Sequence, residues 1–67
     1  MTMAMTKWYV IFQAKNQNGV ETRFGIECGS KAEALQSECE VKHRFEVSYC
    51  RLCCHPDKSS FCLIKLD

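Results

Sequence analysis

Trp8-Tyr9-Val10-Ile11-Phe12 is an unbroken aromatic and β-branched run, the composition of a strand. Behind it, Asn16-Gln17-Asn18-Gly19 ends in the Asn-Gly pair that favours the positive φ angles of a tight hairpin turn. From Val20 to Cys28 the pattern becomes regular. Phe24, Ile26 and Cys28 alternate with Arg23, Gly25 and Glu27, the period of two of a half-buried strand. Closing the hairpin on Asn18-Gly19 places Tyr9 and Ile11 on the face of Phe24 and Ile26, and Trp8, Val10 and Phe12 on the other.

Gly29 breaks this strand, and Ser30-Lys31-Ala32-Glu33 fits a capping box, in which the serine oxygen accepts from the Glu33 amide and the carboxylate reaches back. A helix is predicted from Lys31. Ala32, Leu35 and Cys39 follow helical spacing, and the pairs Glu38 with Lys42 and Glu40 with Arg44 place acid four residues before base. Lys42-His43-Arg44 stands where the helix dipole favours cations. The apolar stripe is narrow, as suits one helix lying on a sheet.

From Phe45 the period returns to two, with Phe45, Val47 and Tyr49 on one face. His55 to Ser60 holds the only proline and reads as a turn, and Phe61 to Leu66 as a last strand. Pairing these strands across that turn sets Cys53 opposite Cys62 and Tyr49 opposite Leu66. Phe45, Val47, Tyr49, Cys53, Cys62, Ile64 and Leu66 then form the face that meets the helix. The fold class is α+β, in the order β-β-α-β-β: a four-stranded, mainly antiparallel sheet with one helix packed on one face. Residues 7–67 form a single small domain and residues 1–6 a frayed N-terminus.

One helix covers one side of such a sheet. Trp8, Val10, Phe12, Leu52, Phe61 and Leu63, together with Cys50 and Cys54, fall on the side left bare. Each large side chain exposed there forgoes about 1.5 to 3 kcal/mol of burial. The expectation is therefore a cover, either a second copy in a two-fold dimer or another protein, with Trp8 and Phe12 as anchors.

The 67 residues leave no room for a two-domain enzyme with an enclosed cleft. Forty-six per cent hydrophobic and 25% charged residues, with three Gly and one Pro, describe a folded chain and not a disordered one. A net charge of +1 supplies no field that argues for nucleic acid or an anionic membrane. Lys7, Lys15, Arg23, Lys42, His43, Arg44 and Arg51 are scattered among acids. With no leader or membrane span read at the N-terminus, the expected compartment is the cytoplasm.

Six cysteines supply the remaining candidate chemistry. Cys50-x-x-Cys53 has the spacing of a zinc knuckle, which Cys39 and His43, or His55 and Cys62, could complete. Residues 50 and 53 have opposite parity, so in a regular strand they point to opposite faces, and the zinc and strand readings exclude each other locally. No metal or other cofactor is expected. Cys53 and Cys62, if opposite, would be within disulfide range, but a reducing compartment favours six free thiols. Cys54 beside His55 is only a sequence neighbour, with no third group to position a base. The chain is read as a non-enzymatic protein.

Tyr49-Cys50-Arg51-Leu52-Cys53-Cys54-His55-Pro56-Asp57-Lys58 resembles the end of helix II and the His-Pro-Asp loop of J-domain co-chaperones. That family sets the loop between long helices, whereas Phe45 to Cys54 alternates at period two and ten residues follow Asp57. In size and architecture the chain is similar to accessory and inhibitor proteins of bacteriophages and prophages, anti-defence proteins among them. That resemblance implies a small protein that binds another protein in the host cytoplasm, through a sheet face or edge. The competing expectation is a zinc-stabilised nucleic-acid-binding module held by Cys39, His43, Cys50 and Cys53.

Overall fold

A computed structural model describes residues 6–66. The frayed stretch expected over residues 1–6 lies outside them save for Thr6, which is exposed and irregular. The elements are β1 (Trp8–Lys15), β2 (Glu21–Cys28), α1 (Lys31–Arg44), β3 (Val47–Cys53), a 3-10 turn (Lys58–Ser60) and β4 (Cys62–Ile64). The class is α+β with the expected order β-β-α-β-β. The strands form one mixed sheet in the order β3-β1-β2-β4. β1 is antiparallel to β2 and to β3, while β4 runs parallel to β2.

The first hairpin turns on three residues, Gln17 to Gly19. The Gly19 amide donates to the Asn16 carbonyl (3.0 Å), the Asn16 amide to the Val20 carbonyl (2.9 Å), and Gly19 takes φ +76°. This is a type I turn closed by a left-handed glycine. Asn16 fixes it from within, its Oδ1 accepting from the amides of Asn18 (2.8 Å) and Val20 (3.1 Å). The extra residue sets Val10 opposite Ile26 and Phe12 opposite Phe24. A one-residue slip sends every side chain of a strand to the other face. The expected pairing of Tyr9 and Ile11 with Phe24 and Ile26 is thereby overturned.

A second one-residue irregularity occurs in β3. Gln13 faces Tyr49 and Ala14 faces Val47, which leaves Ser48 as the extra residue of a bulge. Val47 therefore shares the helix face with Cys50 and Leu52, opposite Phe12 and Val10. Tyr49 and Cys53, expected beneath the helix, stand on the opposite face.

Val10, Phe12, Ala14, Ile26 and Cys28 join Ala34 and Val41 of α1 in one buried cluster, with Trp8, Phe24, Phe45, Val47, Cys50, Leu52, Ile64 and Leu66 packed against it. The helix thus covers the face expected to be bare. Its cap forms as predicted, the Glu33 amide donating to Ser30 Oγ (3.2 Å), but the Glu33 carboxylate accepts from the Gly29 amide (2.9 Å). The buried stripe is Ala34 and Val41, with Ser37 and Glu38 half-buried between them, while Ala32, Leu35 and Cys39 are exposed. Ala34 and Val41 are fully buried in the cluster that holds Phe12 and Val10, while Leu35 lies half-exposed on the outer side of the helix.

β3 and β4 do not form a hairpin. They hold opposite edges of the sheet, and residues 54–61 cross the face away from the helix. The Phe61 ring lies over Gly25, where a Cβ would collide with it, and 6.2 Å from the Tyr9 ring. Lys58 Nζ sits 5.5 Å from the centroid of Tyr9. Beneath this segment Tyr9 and Ile11 are 4% and 2% exposed. Three strand spacings, about 14 Å, separate β3 from β4, far beyond the ~6.8 Å Cα reach of a disulfide. The expected approach of Cys53 to Cys62 is overturned, and all six cysteines are free. Among the described residues no helix is long and apolar enough to cross a membrane.

Candidate functional site

The six residues expected to form one bare contact face are divided by the fold. Val10 and Phe12 are 0% exposed under α1. Trp8 and Leu52 are half-buried on the same face, Trp8 with Lys31 Nζ 5.6 Å from its ring centroid. Phe61 is half-buried on the other face, and Leu63, 61% exposed, flanks it at the β4 edge. Neither Phe12 nor Val10 can anchor a partner.

The residues of the zinc alternative are likewise separated. Cys50 lies on the helix side of β3 opposite Phe12, and Cys53 on the other side opposite Tyr9. Cys39 is exposed on the outer surface of α1, beside His43 in a shallow cleft. Cys62, of the second completion, is across the sheet on β4. Among the described residues no group of three or more His, Cys, Asp or Glu side chains is placed to hold a metal ion. Burial, and then the nearby Glu38 carboxylate, push the Cys50 thiol up. It is held as a protonated donor 3.8 Å from Glu38 Oε2, whereas metal ligation and nucleophilic attack both need the thiolate.

What the fold does expose is the outer edge of β3. This strand of seven residues pairs with β1 along one side only. Its sequence, Val-Ser-Tyr-Cys-Arg-Leu-Cys, contains neither Pro nor Lys, two of the usual devices that blunt an edge. The opposite edge is blunted by length, β4 having three residues. After the bulge, Tyr49 to Cys53 form five consecutive regular positions, 49 through 53.

A row of polar groups holds this edge in place. Ser48 Oγ is 2.9 Å from Glu21 Oε1 and 3.3 Å from the Gln13 carbonyl, and its one proton can serve either. Gln13 Nε2 donates to the same Glu21 oxygen (2.8 Å), so a β2 carboxylate reaches across β1 to the bulge in β3. These two donors, Gln13 first, hold the Glu21 carboxyl below its ordinary range. Arg23 donates to Gln13 Oε1 (3.4 Å) and places its guanidinium 5.4 Å from the Tyr49 ring centroid. Tyr49 is 41% exposed. Arg51, opposite Ile11, is exposed and is the only charged residue of β3. Among the described residues it enters no ion pair.

Ser48, Tyr49 and Arg51 were absent from the sequence-predicted surface. Ser48 gave no local signal, because a polar residue between Val47 and Tyr49 continues the alternation, and the bulge shows only in its distant partners Gln13 and Glu21.

The His-Pro-Asp string lies in the crossover segment. Asp57 caps the 3-10 turn, its Oδ1 accepting from the Ser59 amide (3.1 Å) and hydroxyl (2.7 Å), and these bonds hold its carboxyl low. His55 and Pro56 line a cleft with Lys7, Tyr9 and Lys58. Glu27, which receives the Tyr9 hydroxyl (2.8 Å) and Lys7 Nζ (3.1 Å), is held ionised by them. No family model matches the chain, and no similar curated protein or solved structure is found.

Proposed function

We propose that this is a non-enzymatic interaction protein that binds another protein by strand addition, the free edge of β3 accepting an extended segment of the partner. The observation that carries the reading is this edge: seven residues with one row of backbone donors and acceptors unpaired by the sheet. Such a row is a template for main-chain hydrogen bonds from another chain. The helix over Val10 and Phe12 and the crossover segment over Tyr9 and Ile11 leave no large apolar face bare, which also favours an edge over a face. An inhibitor-type accessory role, of the kind that small phage and prophage proteins of similar architecture perform, fits a chain that offers one binding edge.

The test is lysine- and acid-directed crosslinking in cells that make the protein, followed by exchange measurements on the purified complex. Amides of Tyr49–Cys53 that become protected in the complex support the reading. A complex in which the outer face of α1 is protected and β3 is not would overturn it.

A further inference from the structure

Resting on the edge reading, we infer that the segment β3 accepts belongs to a different protein and carries a carboxylate opposite Arg51. A second copy is disfavoured by the strand itself. Two β3 strands related by a two-fold axis pair antiparallel with the same residues on the same face. The five regular positions, 49 through 53, then pair in full only when Arg51 faces Arg51. Like charges directly opposite are destabilising in a sheet. A shift by two residues relieves this but leaves three opposed positions: 49 with 51, 50 with 50, and 51 with 49. On the N-terminal side the Ser48 bulge ends the regular ladder, and bulges turn an edge away from continued pairing. Central charge and bulge together bar self-association without closing the edge to other chains.

The same residues define what fits. Arg51 is the one charge on β3, exposed and unpaired by any acid among the described residues. A second guanidinium, Arg23, stands on the same face beyond Tyr49. The nearby carboxylate of Glu21 is engaged by Ser48 and Gln13. The face that a bound strand would extend is therefore cationic at its rim. A glutamate or aspartate opposite Arg51 gains a cross-strand ion pair with a planar, bidentate donor. Its neighbours on that face meet Tyr49 and Cys53, which suit aromatic or β-branched side chains.

The experiment uses the full chain and two synthetic seven-residue peptides of alternating Thr and Val, one with Glu and the other with Lys at its centre. Binding is followed by residue-resolved amide exchange and by titration to millimolar peptide. The Glu peptide is expected to protect amides within Tyr49–Cys53 and to bind about fivefold more tightly than the Lys peptide. That gap should narrow at high salt, vanish in Arg51→Ala and reverse in Arg51→Glu. Equal protection of β3 by both peptides would overturn the carboxylate preference and leave strand addition standing. Failure of both peptides to protect β3 at millimolar concentration would overturn both. Concentration-dependent protection of Tyr49–Cys53 without peptide would show that a second copy takes the edge and would overturn the exclusion of self-pairing.

Discussion

Gly25 is a glycine because a ring lies on it. In a strand that otherwise alternates apolar and polar side chains, the missing Cβ makes room for Phe61, and through Phe61 the crossover segment is seated against Tyr9. Gly25→Ala is expected to cost about 1 to 3 kcal/mol through overpacking, read as a lower urea midpoint with an unchanged slope. Phe12 stands at the other extreme, 0% exposed, its ring 5.4 Å from those of Phe24 and Phe45. Phe12→Asp buries a carboxylate with no partner and should remove more than about 3 kcal/mol. Tyr49→Asp, at the edge, should cost under about 1 kcal/mol in the same titration. A small loss at Phe12 would mean that this residue is not in the core.

At the scale of elements, the residue types that favour each strand, the cap and the break at Gly29 place β1, β2, α1 and β3 almost where they are. Ser30→Ala is expected to lower stability by about 1 kcal/mol, since the Glu33 amide loses its acceptor. The sidedness of the sheet was not legible, and two single residues explain why. Asn-Gly serves a two-residue turn and also the end of a three-residue one, and the choice depends on Asn16 closing the longer loop through its own side chain. Ser48 adds a residue to β3 whose stabilising partners, Gln13 and Glu21, are 35 and 27 residues away. Each shifts the period by one and so exchanges the faces. The partner of β4 was hidden for a related reason, because the link from residue 53 to 62 is long enough either to turn back or to cross. The fit of Phe61 over Gly25 favours crossing. With the faces exchanged, the contact surface predicted from Trp8, Val10 and Phe12 becomes the core, and the edge at Tyr49 and Arg51 takes its place as the candidate site.

For the molecule as a whole, the ionisable groups define a plateau of stability. Glu21 and Glu27 titrate below their ordinary 4.5 and Asp57 below 3.8 in the folded chain. Their contribution is complete above those ordinary values and is lost as pH falls through the lowered ones. Cys50 lies above its ordinary 9.0 and Lys58 above 10.5, so theirs is complete below those values and is lost as pH rises through the raised ones. Urea midpoints should thus be level from about pH 5 to 8.5 and fall on both sides, gently on the acid side because the three carboxylates are exposed. The central claim is that β3 stands free at one edge while the helix and the crossover segment cover the apolar centre of the two faces. Residue-resolved hydrogen exchange on the isolated protein tests it most directly. Amides of β1 from Trp8 to Ala14 should exchange slowly throughout, since β1 is flanked on both sides. Those of Tyr49 to Cys53 should alternate between slow and fast, independent of protein concentration. Uniformly slow exchange along β3 in dilute solution would mean that its edge is already paired within the chain, and would contradict the account.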